Sequence, residues 1–359
     1  MAQKEKCGFF RISQQDSCAK ALNPVKLGSI NFLTTAYPLS VINLALPFFG
    51  LILIGFFSGK LMRFKRSELG ALNFFIVYIT LPPMLYRLIA GAPFENLTNW
   101  PFILGTTLST YLVFLTVFVI FTLSGQSSVS RAAVQASVAS YGNVGYMGVP
   151  LMLAVFGEKA AVPATLILCF DSVLQFVLVP LLQVLGGHSK GGLGNTLLNI
   201  LRKVLLHPFI IATALGFIAS YFSYRPPQAI DKILTFLGLA APACALFALG
   251  VTVALQPLRR VEWDLPVLTF VKLILHPILV LVVLLAMGGF PPMWVQVAVL
   301  MAALPTAANV FVMASHYESY EDGASSSILF NTMVSLATVT GLMVYMNAYG
   351  LPVSLSQLF

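Results

Sequence analysis

Long apolar runs separated by short polar stretches fill the chain from about residue 38 to residue 348. Each run contains about 20 residues, the length that an α-helix needs to cross the hydrocarbon core of a bilayer. The pattern predicts an all-α membrane protein of about ten transmembrane helices. The predicted spans are 38–59, 69–90, 101–124, 130–156, 160–186, 204–223, 229–256, 264–288, 293–316 and 324–349.

Polar stretches divide these spans into two sets of five. The predicted units are a polar N-terminal tail (1–37), a first five-helix repeat (38–186), a cytoplasmic linker (187–203), a second five-helix repeat (204–350) and a C-terminal tail (351–359). The N-terminal tail lacks the apolar core of a cleavable signal peptide.

The two sets of spans match each other at a nearly constant offset of 160 or 161 residues. The matched pairs are Pro47 with Pro208, Phe56 with Phe217, Pro82 with Pro242, Phe170 with Phe330, and Asp171 with Asn331. Because five is an odd number, the second repeat would enter the membrane from the opposite face. This predicts an inverted repeat, which is typical of several secondary-transporter folds.

Composition supports a membrane location and excludes several functions. Apolar residues make up 58% of the chain, charged residues only 9%, and the mean hydropathy is +0.90. The net charge of +8 is explained by Lys and Arg in cytoplasmic loops, so we expect no nucleic-acid partner. The four cysteines form no metal-binding pattern, and we expect neither a metal nor a cofactor.

Basic residues concentrate in loops that would share one face of the membrane. They are Lys60, Arg63, Lys65, Arg66, Lys190, Arg202, Lys203, Arg259 and Arg260. This asymmetry predicts that these loops face the cytoplasm and that both termini lie outside. Five basic residues in the N-terminal tail oppose that orientation. The expected location is the cell inner membrane, with the lipid bilayer as partner and a homodimer left open.

Two spans contain residues that interrupt a helix in the middle of the membrane. The fourth span combines Asn143 and Gly145 with Pro150, and the ninth combines Pro305 with Asn309. An opened backbone is tolerated there only if it is buried in protein or lines a cavity. The free N–H groups of a broken helix favour an anion, and the asparagines add amide donors. These five residues are the predicted binding site for a small organic anion.

A structural role could also explain these two segments. Glycines permit close packing of helices, and each asparagine could bond to a neighbouring helix. The occurrence of breaks in corresponding spans of both repeats favours the binding site.

One acid and one lysine lie well inside predicted spans, where charge is costly and often functional. Asp171 would act in coupling or support, with Gln175 one turn later and the neutral Asn331 as its repeat mate. Coupling to a proton or to sodium is left open. Lys272 could form an ion pair with Asp171 or snorkel to the interface, and His276 would share its helix face.

The segments 142–151 and 304–311 resemble motifs of the auxin efflux carrier family, and the resemblance extends over nearly all of the chain after residue 37. It implies a ten-helix fold with broken, crossed fourth and ninth helices, related to the bile-acid sodium symporters. It also implies an organic-anion substrate and an elevator-like movement, with Asn143, Pro150, Pro305 and Asn309 at the crossover. The short linker is unlike the long loop of the plant exporters.

The leading hypothesis is a secondary transporter for a small organic anion such as a mono- or dicarboxylate. A channel or a sensor on the same scaffold is an alternative that the sequence does not separate from a carrier. An intramembrane enzyme is disfavoured, because only one acid lies well inside a span and the spans offer no H-E-x-x-H motif and no convincing Ser–His pair. The chain has no phosphate-binding loop for ATP-driven transport.

Overall fold

The computed structural model describes residues 33–186, 198, 201–202, 205–256 and 262–352. Within these residues the chain is helical, without strands. The predicted N-terminal tail and linker lie almost entirely outside the described residues, as do the last seven residues. The first helix begins at Leu33, five residues before the predicted span.

Each predicted span contains one or more helices. The α-helices of the first half are α1 (Leu33–Leu61), α2 (Arg66–Phe74), α3 (Leu81–Gly91), α4 (Phe94–Leu97), α5 (Trp100–Leu123), α6 (Val129–Ser140), α7 (Val149–Phe156), α8 (Ala161–Val173) and α9 (Val179–Leu185). Those of the second half are α10 (Pro208–Tyr221), α11 (Gln228–Leu255), α12 (Leu265–Phe270), α13 (His276–Met287), α14 (Pro292–Ala302), α15 (Ala308–His316) and α16 (Glu321–Tyr349).

Six continuous helical segments of the described chain are long and apolar enough to cross a membrane. They are Glu68–Gly91, Phe94–Leu123, Glu158–Leu185, Gln228–Leu255, Leu265–Met287 and Glu321–Tyr349. Four further apolar segments are shorter: the Leu46–Leu61 part of α1, and the helical segments Val144–Phe156, Pro208–Tyr221 and Pro292–Ala302. The protein is therefore a multi-pass helical protein whose surface suits a bilayer.

Wide π-helical turns precede several of the α-helices, and each ends two residues before a proline. The turns are Phe75–Thr80, Val144–Gly148, Leu174–Leu178 and Val271–Leu275, and the prolines are Pro82, Pro150, Pro180 and Pro277. Proline lacks an N–H, and its ring clashes with the carbonyl four residues earlier. Widening the preceding turn relieves that clash without ending the helix.

The helices α1, α2, α3, α10 and α11 form what we call the scaffold group. In it, α1 packs on α11, and α3 packs on both α10 and α11. The α1–α11 contact is made backbone to backbone through Gly55 and Gly250. A Cβ at Gly250 would collide with the carbonyl oxygen of Ile52, and one at Gly55 with that of Phe247. Glycine is required at both positions for this approach.

The helices α5 to α9 and α12 to α16 form what we call the crossover group. At one end of this group, a buried polar network forms around Asp264, which is fully buried. Asp264 accepts hydrogen bonds from the Gln135 amide and from the Tyr320 hydroxyl, the latter at 2.6 Å. Burial, followed by the nearby Asp264 carboxylate, raises the pKa of Tyr320, so this hydroxyl stays a donor.

This network lies at the end of the molecule that carries Lys60 and Arg63, which we call the basic end. Nearby, Arg131 pairs with Glu262 at 3.3 Å and lies 4.6 Å from the ring centroid of Tyr320. These contacts join α6, α12 and the start of α16, so the crossover group is tied together where its helices meet the basic end.

Candidate functional site

Two helices of the crossover group are interrupted at the same depth. The first stops at Ser140 and resumes at Val144; the second stops at Ala302 and resumes at Ala308. The unwound residues include the predicted positions Asn143 and Pro305. The sequence pattern therefore located both interruptions correctly.

The two unwound segments hydrogen-bond to each other where they cross. The Asn143 N–H donates to the Pro305 carbonyl at 2.8 Å, and the Ala307 N–H donates to the Tyr141 carbonyl at 3.2 Å. Together these bonds form an antiparallel bridge between Gly142 and Thr306. Backbone groups that lose helical partners thus find new ones inside the protein, as a low-dielectric environment requires. We call this region the crossover.

The two helices that leave the crossover have no side-chain cap. Asn143 precedes the first turn of one, and Ala307 precedes α15. The Val144 N–H donates to the Gly142 carbonyl at 2.8 Å and the Val310 N–H to the Ala307 carbonyl at 3.1 Å. The other N–H groups at the two helix starts lack intrahelical acceptors, and each start carries about half a positive charge. The amide nitrogen of Asn143 is also buried without a hydrogen-bond partner. This arrangement offers donors and positive potential to an acceptor group.

A cavity of about 350 Å³ opens beside the crossover and extends toward the basic end. It lies between the scaffold group and α15, and both Asn143 and Asn309 line it. The other lining residues are Leu69, Asn73, Tyr146, Leu249, Thr252, Leu255, Gln256, Ala308, Phe311, Val312 and Ser315. We call it the anion cavity. Its volume is in the range of small-molecule binding sites.

On one side of the crossover, Lys272 is fully buried. Its ammonium donates to the carbonyl of Ala302 at 2.6 Å, where α14 ends, and to His276 Nδ1 at 3.1 Å. A Cβ on Gly142 would lie 3.2 Å from this ammonium. Of the two alternatives for Lys272, snorkelling to the interface is wrong, because its ammonium is buried and donates to the carbonyl at the end of α14.

A hydrogen-bonded chain connects Lys272 to Asp171. His276 Nε2 lies 3.3 Å from the Thr110 hydroxyl, which in turn bonds to the Asp171 carboxylate. With Lys272 protonated, its ammonium donates to Nδ1, and a neutral imidazole then carries its proton on Nε2. Asp171 and Lys272 interact electrostatically without forming a direct ion pair. The sequence pattern identified His276 on the correct helix face but not its bridging position.

On the other side, Asn331 occupies the position that matches Asp171 in the sequence. The Thr269 hydroxyl donates to its oxygen at 2.5 Å, and its amide donates to the Thr306 hydroxyl at 2.8 Å. The Thr306 hydroxyl donates to the carbonyl of Val138 at 2.7 Å. This uncharged chain holds the second unwound segment against α6.

The predicted site residues differ in how close they lie to the anion cavity. Asn143 and Asn309 face it directly, whereas Pro305 contributes its carbonyl to the crossing and Gly145 lies in the first turn of the helix beyond. Pro150 lies further along, at the start of α7, and does not line this cavity. Its proline ring instead widens the preceding turn.

The glycines of the fourth span differ in how closely other residues pack against them. A Cβ on Gly145 would make ordinary contacts of 3.6 Å and 3.7 Å. On Gly148 it would lie 2.6 Å from the sulfur of Met301. The glycines that permit the crossing are therefore Gly142 and Gly148, a distinction that requires the position of the ninth span.

Gln175 is fully buried, and neither its amide nitrogen nor its oxygen has a hydrogen-bond partner. It lies one turn after Asp171, in the wide turn Leu174–Leu178. Sequence spacing predicted this neighbourhood. The hydroxyls of Thr110, Thr269 and Thr306 were missed, because single threonines in an apolar span give no distinguishing pattern.

A multi-pass helical protein with two interrupted helices beside a cavity falls in the class of membrane transporters. The family described as "Membrane transport protein" matches residues 40–192 and 193–343. The chain belongs to this family, the auxin efflux carrier family, which confirms the resemblance of the two motifs. Because the family consists of transporters, the expectation that the chain is not an enzyme is also confirmed.

Three relatives illustrate the breadth of this family. A Rhizobium meliloti (strain 1021) protein named "Putative malonate transporter" is 41% identical over 315 residues, covering 88% of this chain and 98% of the relative. "Uncharacterized transporter YfdV" of Escherichia coli (strain K12) is 26% identical, covering 82% and 93%. "Auxin efflux carrier component 5" of Arabidopsis thaliana is 24% identical, also covering 82% and 93%.

Proposed function

We propose that this chain is a secondary transporter that carries a small organic anion through the inner membrane. One observation carries the proposal: two uncapped helix starts and the side chains of Asn143 and Asn309 face one cavity at the crossover. Uncharged donors of this kind can bind a carboxylate and still release it. The name of the Rhizobium meliloti relative supports malonate as the first substrate to test.

We further propose ten transmembrane helices arranged as two inverted five-helix repeats. The two interrupted helices would be the fourth and the ninth, each in the same place of its repeat. The match between Asp171 and Asn331 supports this arrangement, because each hydrogen-bonds a threonine of a neighbouring long helix, Thr110 or Thr269. In the proposed topology those threonines belong to the third and eighth helices.

Alternating access would come from sliding of the crossover group along the scaffold group. The anion cavity lies between the groups on the side of the basic end. A second cavity, of about 880 Å³, lies between them at the opposite end. It is lined by Arg87 and Arg225 from one side and by Lys159 and Trp294 from the other. We propose that the crossover reaches this second cavity in the outward state, in an elevator-like movement.

The buried Asp171–Lys272 chain would support the crossover rather than couple transport to an ion. Neither residue lines the anion cavity. The Lys272 ammonium lies instead at the end of α14, a position where transporters commonly hold a cation. Because the Lys272 ammonium is attached to the protein, it would neutralise the partial negative charge at the end of α14 throughout the transport cycle.

Uptake into liposomes tests the proposed function. The purified full-length protein is reconstituted, and uptake of radiolabelled malonate and indole-3-acetate is measured with and without a pH gradient. We expect saturable uptake that the Asn143→Ala, Asn309→Ala double variant loses. Asn347→Ala is the matched control, because Asn347 lines a separate cavity next to Met343.

Equal uptake by the double variant would place the site elsewhere. Steady currents far above the turnover of a carrier would indicate a channel, and binding without flux would indicate a sensor. Either result would overturn the carrier proposal while leaving the family assignment intact.

A disulfide lock tests the sliding movement. The Cys169 sulfur, on α8 of the crossover group, lies 3.2 Å from the Thr213 hydroxyl, on α10 of the scaffold group. In a background without the other cysteines, Thr213→Cys should crosslink to Cys169 on oxidation and stop uptake, and a reductant should restore it. Thr213→Ser is the control. Full uptake by the crosslinked protein would contradict sliding at this contact.

A further inference from the structure

The anion cavity has two polar ends of different chemistry. One end is the crossover, with Asn143 and Asn309. The other lies toward the basic end and contains Asn73, Gln256 and Ser315; we call it the amide end. Asn309 and Ser315 are six residues apart on one helix, which places the ends about 9 Å apart or less. A short molecule with two polar groups can therefore contact both ends.

Positive potential is concentrated at the crossover end. Both uncapped helix starts point into it, and the buried Lys272 ammonium lies directly behind Gly142. Two helix starts of about half a charge each match a single negative charge. One ionised carboxylate is therefore satisfied at this end.

Neutral groups that both donate and accept hydrogen bonds form the amide end. The Ser325 hydroxyl donates to the oxygen of Gln256 at 2.8 Å, so the orientation of this amide is fixed and its NH₂ remains to donate elsewhere. Asn73 adds a second amide from the facing helix. The hydroxyl of Ser315 donates to the Glu321 carboxylate at 3.3 Å, so a negative charge lies close behind this end.

We propose that the transported species is the singly ionised form of a short dicarboxylic acid, and that the coupled proton travels on the substrate. The ionised carboxylate would bind at the crossover. The un-ionised carboxyl, which donates and accepts like an amide, would bind Asn73 and Gln256. A second ionised carboxylate would meet the field of Glu321 without a compensating cation among the described lining residues. This inference rests on the proposed function.

Other titratable groups surround the cavity from several elements. They are the Tyr146 phenol in its lining, Lys272, His276 and Asp171 behind the crossover, Glu321 behind Ser315, and the exposed Lys65 and Glu68 before Leu69 on α2. Arg259 and Arg260 follow Gln256 in the sequence and lie outside the described residues. An Arg259→Gln, Arg260→Gln variant is therefore included in the test, and it should retain the pH dependence described next.

The first experiment measures malonate uptake as a function of external pH, in liposomes clamped at zero membrane potential. Above the second pKa of malonic acid, the apparent KM for total malonate should fall about tenfold for each unit of decreasing pH. When KM is calculated from the concentration of the singly ionised form alone, it should not change with pH. Asp171→Asn should show the same dependence, because the proton is on the substrate.

A substrate analogue separates titration of the substrate from titration of the protein. Malonamate, the half-amide of malonic acid, keeps one negative charge across this pH range and presents an amide in place of the un-ionised carboxyl. It should compete with malonate, and its inhibition constant should not change with pH. Propionate, which has a methyl group at that position, should compete at least about tenfold more weakly.

The amide end is tested by Asn73→Leu and Gln256→Met. Each variant should lower the preference for malonamate over propionate about tenfold while retaining propionate binding. Asn347→Leu, in the separate cavity, should leave this preference unchanged. Measurement of binding to the purified protein keeps the test valid if a variant transports slowly.

Three results would overturn the inference. They are a KM for total malonate that is constant with pH, a loss of pH dependence in Asp171→Asn or in the Arg259, Arg260 variant, and pH-dependent inhibition by malonamate. Each of these results is compatible with the proposed function, provided that the Asn143→Ala, Asn309→Ala double variant still loses uptake. Saturable uptake that survives in that double variant would instead remove the proposed function.

Discussion

The two sides of the crossover solve the same structural problem with different chemistry. Each side must hold an unwound segment in place inside an apolar protein. One side uses a buried ammonium, an imidazole and a carboxylate, and the other uses an amide and two hydroxyls. Asp171 and Asn331 occupy matched positions in the sequence, so an acid on one side corresponds to an amide on the other. The neutral side shows that the unwound backbone itself does not require charge.

The charged side has the additional task of neutralising a helix end. The carbonyl that accepts the hydrogen bond from Lys272 belongs to Ala302, the last residue of α14. On the neutral side, the Thr306 hydroxyl reaches back to Val138, within the helix before the break. The charged side therefore depends on electrostatics, and we expect it to be the more sensitive to substitution.

Removal of the buried cation should have the largest effect. Lys272→Met leaves the buried Asp171 without its nearby cation and the Ala302 carbonyl without its donor, which should lower the free energy of unfolding by about 2–3 kcal/mol. The double variant Asp171→Asn, Lys272→Met removes both charges and should recover a large part of this loss. Thermal unfolding in detergent measures both variants. A double variant no more stable than Lys272→Met would show that the two charges do not interact.

A break in the neutral chain should cost less. Thr306→Val removes the bond to Val138 and leaves the Asn331 amide without its acceptor, which should cost about 2 kcal/mol. Thr332→Val is a matched control, since the Thr332 hydroxyl bonds only within its own helix, to Ile328. Thermal unfolding compares them. If Thr306→Val lowered the free energy of unfolding more than Lys272→Met does, the charged side would not be the more sensitive of the two.

A single methyl group at the crossing should have the smallest effect. A Cβ on Gly142 would lie 3.2 Å from the Lys272 ammonium and 3.3 Å from the Met301 carbonyl. Gly142→Ala should therefore cost about 1 kcal/mol and slow uptake several-fold. Gly145→Ala, where contacts are ordinary, should be close to neutral. Equal behaviour of the two variants would indicate that the charged side tolerates displacement.

Sequence reasoning predicted the interruptions well because they depend on local signals. Glycine, asparagine and proline weaken a helix wherever they occur in a span, so Asn143 and Pro305 could be identified without tertiary information. The prolines also explain the wide turns before Pro150 and Pro277, although the sequence alone did not predict turns of that type.

Positions that depend on contacts between distant spans could not be predicted in this way. Whether Lys272 snorkels or points inward is decided by the Ala302 carbonyl, a residue of the next predicted span. The same holds for Gly148, whose small size is needed only because Met301 crosses it. The amide end of the cavity was likewise missed, because Asn73 and Gln256 lie near the ends of their helices and resemble ordinary polar termini.

Calorimetric binding of malonate to the purified protein tests most directly whether the crossover is the anion site. The account predicts that the wild-type protein and Asn347→Ala bind alike, and that Asn143→Ala and Asn309→Ala each weaken binding at least about tenfold, or about 1.4 kcal/mol. Circular dichroism and gel filtration would verify that the variants fold. Undiminished malonate binding by folded Asn143→Ala and Asn309→Ala proteins would contradict the account.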